Sequence, residues 1–122
     1  MGTENRRFSR FKYKMPAELE TDGEIIHIDE ISDLGIGGCL LPVKMNKNPG
    51  TFCTLKIRLG SDDFAPLITI GCEIARLQDN CTALKFIRID PESLAHLHRI
   101  ALYNSPDPEM IEEEIRRHPG LK

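Results

Sequence analysis

A period-two alternation governs the middle of this chain. In Thr51–Leu59, Cys53, Leu55, Ile57 and Leu59 fall on one side, with Thr54, Lys56 and Arg58 on the other. In Leu67–Leu77, Ile68, Ile70, Cys72 and Ile74 again share one side. Successive side chains of a strand point to opposite faces, so this pattern predicts half-buried strands around a common core. The alternation stops at Asp90-Pro91, and from there apolar residues recur at helical spacing. A chain written this way is expected to build a sheet first and a helix last.

Shorter runs extend the sheet. Met15–Thr21 reads as a strand with Pro16 near its start, where proline is tolerated. Asp22-Gly23 is a hairpin signal. The returning strand is expected from Glu24 to about Leu34, with Ile26, Ile28 and Ile31 inward. Gly38–Val43 and Cys81–Ile89 complete the set, the latter with Leu84 and Phe86 inward. Asn48-Pro49-Gly50, the loop at Gly60, and Asp79-Asn80 supply the turns. About six strands on hairpin-length links predict a mostly β fold. The expected form is a six-stranded antiparallel β-barrel, closed or nearly so, which would bury its strand edges. Asp90 as N-cap and Pro91 at the first position start a helix whose Leu94, Leu97, Ile100 and Ala101 dock on the barrel. Asp107-Pro108-Glu109 starts a second, short helix with Met110, Ile111 and Ile115 on a narrow stripe. Glu112–Arg116, Glu113–Arg117 and Glu114–His118 sit at i,i+4 on it. The expected organisation is therefore a flexible basic arm over residues 1–12, a barrel plus helix over 13–104, and a helical tail over 105–122.

With 122 residues, about 40% of them apolar, the chain suits one domain with one modest core. A net charge of −3 argues against a nucleic-acid binder or a membrane-surface protein. The basic charge is concentrated in one place: residues 1–15 carry Arg6, Arg7, Arg10, Lys12 and Lys14 against Glu4. Residues 105–115 are acidic, with Asp107, Glu109, Glu112, Glu113 and Glu114. Cys39, Cys53, Cys72 and Cys81 form no CxxC pair and lie in strand-like runs, so buried free thiols are expected rather than zinc ligands. With no signal peptide and no apolar run of about 18 residues, a cytoplasmic protein without membrane insertion is expected. Neither a nucleophile elbow nor an HExxH is present. His96 and His98 fall on different helix faces, and Asp62-Asp63 has no third acid beside it. No enzyme, cofactor or metal site is expected.

Two features remain for function. Asp33-Leu34-Gly35-Ile36-Gly37-Gly38 places three glycines in four positions between two apolar runs. Glycine there suits a positive φ or a close backbone approach, and Asp33 can accept hydrogen bonds. Alone this is a barrel corner. The sequence Arg6-Arg7-Phe8-Ser9-Arg10 puts guanidinium groups just before the first strand, where they can fork onto phosphates or grip a guanine edge.

With both features, the chain resembles the PilZ domain family, bacterial receptors for the second messenger cyclic di-GMP. That family's signature is RxxxR in an N-terminal loop followed by [D/N]xSxxG. Arg6 and Arg10 match the first motif. Asp33 to Gly38 match the second, except that Gly35 stands where serine is expected. Ala83-Leu84-Lys85-Phe86-Ile87-Arg88-Ile89-Asp90-Pro91-Glu92 also looks like the family's last strand and helix entry, so the resemblance spans roughly residues 5–104. It implies a six-stranded barrel with a C-terminal helix, and cyclic di-GMP as ligand. Arg6 and Arg10 would contact phosphates and guanine edges, with Arg7 assisting or stacking. Asp33 would accept from a guanine, and Gly35 and Gly38 would let the backbone approach. The missing hydroxyl at Gly35 would weaken binding by roughly 0.5–1.5 kcal/mol. A second frame, Glu30 to Gly35, keeps the serine at Ser32 but places Glu30 at the acidic position and leaves Gly37-Gly38 unexplained. With no output domain in view, a receptor would act on an unidentified protein effector in trans. The alternative is a ligand-independent interaction module on the same fold. A small barrel binding single-stranded nucleic acid is disfavoured by the charge and by the lack of an aromatic strand face.

Overall fold

The computed structural model describes residues 11–60, 64–78 and 80–117. The hairpin signal forms as expected. Asp22 and Gly23 both take positive φ, 50° and 83°, the combination a type I′ turn requires. The turn joins β2 (Ala17–Thr21) to β3 (Glu24–Ile28) with Thr21 opposite Glu24. Lys47 clamps it from outside, 3.1 Å from Asp22 and 3.6 Å from Glu24.

The alternation read from the sequence sets the faces of the longer strands. In β6 (Phe52–Arg58), Cys53, Leu55 and Ile57 are buried; in β7 (Leu67–Gln78), Ile68, Ile70, Cys72 and Ile74 are. In β8 (Cys81–Ile89), Thr82 joins Leu84 and Phe86 inside. Its hydroxyl accepts from Met45 N–H at 2.9 Å and donates to the Val43 carbonyl at 2.7 Å, so a polar group at the core boundary is fully paired. Ala75 and Ile87 are extra residues where the β7–β8 register shifts. Such bulges sharpen the twist of a sheet.

The strand count departs from expectation. With β1 (Phe11–Tyr13), β4 (Ile31–Leu34) and β5 (Gly38–Leu41), eight strands among the described residues form one antiparallel sheet in the order β1-β4-β5-β8-β7-β6-β2-β3. The expected strand from Glu24 to Leu34 is divided at Asp29-Glu30. Residues 24–28 pair with β2, whereas β4 (Ile31–Leu34) pairs with β5 (Gly38–Leu41). Changing partners there leaves the sheet unclosed by hydrogen bonds, and two residues of covalent chain link β3 to β4. The eighth strand, β1 (Phe11–Tyr13), begins within the stretch read as a basic arm, and both Phe11 and Tyr13 are buried. Tyr13 Oη donates to the Arg58 carbonyl at 2.9 Å, anchoring β1 to β6.

Helix α1 (Pro91–Asn104) starts as expected: the Asp90 carboxylate accepts from Ser93 N–H at 3.0 Å. Its docked face differs by one position. Ser93, Leu97 and Ala101 are buried, while Leu94 is half-buried. The cause lies in the sheet. The β7–β8 ladder ends at Ile70–Ile89, and the next outward-donating group of β7, Thr69 N–H, donates to Ser93 Oγ at 3.1 Å. Helix α2 (Pro108–Arg117) packs back on α1, with Ile111 fully buried. Glu113 holds Arg117 at 3.0 Å and Arg116 at 3.7 Å.

Candidate functional site

The β4–β5 connection is a four-residue corner between the paired residues Leu34 and Cys39. Gly35 N–H donates to the Gly38 carbonyl at 2.9 Å, closing it. Ile36 turns inward and is buried. Phe86 N–H donates to the Gly37 carbonyl at 3.0 Å, so the corner is also bonded to β8. The described glycines with positive φ are Gly23 and Gly50, both in turns elsewhere. The glycine at 38 answers to close approach instead: a Cβ there would lie 2.5 Å from the Leu84 carbonyl oxygen. The approaching backbone is β8, inside the fold. Gly38 therefore has a structural reason to be glycine before any ligand is considered.

Asp33 lies beside the corner on the outer face. It pairs with Leu40, and the inward positions Leu34, Cys39 and Leu41 fill the core. Its carboxylate is half-buried and has no hydrogen bond or ion pair among the described residues. The register of β1 then becomes decisive. Phe11 stands opposite Leu34 and Tyr13 opposite Ile31, so β1 begins at the corner end of β4. Arg6, Arg7 and Arg10 lie outside the described residues, but Phe11, which follows Arg10, is held next to Asp33 and Gly35. Glu30, the acid of the second frame, is exposed at the far end of β4.

The register also gathers residues that spacing alone did not single out. Leu40 pairs with Ala83 and Gly38 with Lys85, so Asp33, Leu40, Ala83, Gly38 and Lys85 share one outer face. A lone lysine in a strand carries no motif. Only the order β4-β5-β8 puts it two strands from Asp33.

Other groups have ordinary surroundings. His27 is a surface strand residue 3.6 Å from Glu18. It lines a cleft of about 350 Å³ with Pro16, Asp29, Lys56 and Arg58, on the β2–β3–β6 side. Cys39, Cys53 and Cys72 are buried and outside any disulfide, and Cys81 is half-buried. Burial pushes the Cys53 thiol up to about 11. Burial, with the neighbouring Cys39 and Cys53, pushes Cys72 up further still. These thiols are packing groups at neutral pH. Among the described residues no group of three or more His, Cys, Asp or Glu is placed to hold a metal, and no helix is long and apolar enough to cross a membrane.

The PilZ domain family model matches residues 4–103. No curated protein sequence matches the chain. Among solved structures, the Escherichia coli protein YcgR in complex with c-di-GMP superposes with a TM-score of 0.64 at 16% identity, over 94% of this chain and 49% of its own. The Bacillus subtilis inhibitor of motility MotI/DgrA gives 0.60 at 14%, over 94% and 52%. The PilZ domain of CeSA from a cellulose-synthesizing bacterium gives 0.53 at 16%, over 75% and 89%. This chain thus spans about half the length of the first two. At these identities the likeness is one of fold.

Proposed function

This chain belongs to the PilZ domain family, and from that premise we propose that it is a cyclic di-GMP receptor or adaptor. On this reading residues 1–12 act as a closing arm, residues 13–104 as the body, and residues 105–122 as a helical tail. Arg6 and Arg10 take phosphates and guanine edges, Arg7 assists or stacks, and Asp33 accepts from a guanine. Gly35 and Gly38 keep the corner low enough for a planar base to reach the backbone. Ordering of the arm changes the surface offered to a protein partner, which is regulated in trans. The observation that carries this reading is the register of β1. It sets Phe11, the residue that follows the arginine motif, beside an outer-face carboxylate that has no partner among the described residues.

Titration calorimetry with cyclic di-GMP tests it. Wild-type protein is expected to bind, and Arg10→Ala and Asp33→Ala to lose about tenfold or more, the scale of a charge-assisted hydrogen bond. No heat at tens of micromolar protein, or binding indifferent to both substitutions, overturns it.

Gly35 favours a second reading, a PilZ module that engages its partner without nucleotide, because the hydroxyl of the family motif is missing. Its signature is a partner recovered equally with and without cyclic di-GMP, and equally by the Arg6→Ala/Arg10→Ala variant.

A further inference from the structure

We propose that Lys85 is a sheet-borne ligand contact, a cation on β8 that takes a phosphate oxygen of the dinucleotide bound at the Asp33 corner. This deepens the cyclic di-GMP reading and rests on it. Four observations converge on the residue. Lys85 faces outward, between the inward Leu84 and Phe86, on the same face as Asp33. Its neighbour across β5 is Gly38, which carries no side chain, so nothing from β5 stands between the lysine and the corner. The next residue along that face toward Asp33's row is Ala83, also small. Finally, Lys85 is exposed and makes no ion pair among the described residues, although Glu73 is its register partner on the other side.

The geometry suits an anionic ligand lying flat. Asp33 and Lys85 are two strands apart and two residues offset, roughly 12 Å between backbones from ordinary strand spacings. A guanine held by Asp33 and the attached phosphodiester, met by an extended lysine side chain, covers that span. Gly38 and Ala83 form the low floor between them, with Leu40 as the apolar patch beneath the sugar and base. On the receptor reading an arginine of a closing arm gives up conformational freedom when it takes the ligand. A lysine rooted in a central strand has its backbone already placed, which offsets part of what the absent hydroxyl at Gly35 forfeits.

The test compares cyclic di-GMP binding by calorimetry for wild type, Lys85→Ala, Lys85→Glu, Lys85→Arg and a control, Lys56→Ala. Lys56 sits on the β2–β6 side, 2.8 Å from Glu20. Lys85→Ala is expected to weaken binding about three- to tenfold, as befits a partly solvated charged contact. Lys85→Glu should weaken it more and Lys85→Arg should restore it, with melting temperatures unchanged and Lys56→Ala within twofold of wild type. Wild-type binding with Lys85→Ala and Lys85→Glu both within twofold overturns the assignment and leaves the receptor reading standing. Absence of binding by wild type overturns both. A loss in Lys85→Ala matched by Lys56→Ala overturns it in favour of non-specific charge attraction.

Discussion

At Gly38 a motif position and a packing requirement coincide. A Cβ would meet the Leu84 carbonyl oxygen at 2.5 Å, and backbone cannot step aside as a side-chain tip can. Gly38→Ala is therefore expected to lower stability by roughly 1–3 kcal/mol in denaturant unfolding, whether or not ligand is present. A variant at this position that fails to bind thus says nothing about ligand contact unless its fold is measured too. Asp33 is the better probe, since it is on the outer face and without partners among the described residues. Asp90 offers a sharper experiment. Hydrogen bonds from the Ser93 backbone and side chain hold its carboxyl below the usual range. A depressed carboxyl contributes stability that is present above its unfolded value of 3.8 and is lost as pH falls through the lowered folded value. Asp90→Asn, which still caps, should keep the melting temperature near neutral pH and flatten its acid-side fall below about pH 4. Asp90→Ala should lower it throughout. The thiols separate in the same way. Iodoacetamide at pH 8 should modify Cys81 before Cys39, Cys53 and Cys72, because only Cys81 is half-exposed in the fold. Peptide mapping reads the order.

Among the elements, β1 links the arm to everything else. It is three residues long, yet Phe11 and Tyr13 are buried, it pairs with β4, and it touches α1. Phe11→Ala should cost about 3–5 kcal/mol in denaturant unfolding, a core-sized loss for a residue at the edge of the basic stretch. The reading of residues 1–12 as a flexible basic arm missed this strand because three residues are too short to show a period. Their burial comes from β4 and α1, which lie far along the sequence. The split of the expected strand 24–34 has the same origin. Ile26, Ile28 and Ile31 look continuous in sequence, but β2 claims the first half and β5 the second. The one-position rotation of α1 follows from the Thr69 N–H, which lies past the end of the β7–β8 ladder and donates to Ser93 instead, and which no reading of the helix alone supplies.

At the scale of the molecule, β1, the corner and the helices form one chain of contacts: β1 begins at the corner, packs on α1, and α1 carries α2. Closing of the arm on cyclic di-GMP predicts that the ligand slows tryptic cleavage after Arg6, Arg7 and Arg10, with no such protection in Asp33→Ala. Mass spectrometry of timed digests measures it. The amino-acid sequence by itself determined the local features. These were the period-two faces of β6, β7 and β8, the Asp22-Gly23 turn, the Asp90 cap and the paired motifs that mark the family. Each depends on neighbours within a few residues, through allowed φ, capping bonds and alternation. Tertiary structure alone decided the open eight-stranded order and the recruitment of β1. It also decided the docking of α2 through Ile111, the reason for glycine at 38 and the placing of Lys85 on the same outer face as Asp33. Those follow from which distant strands pair and in what register, and a shift of one residue there would turn every outward group inward.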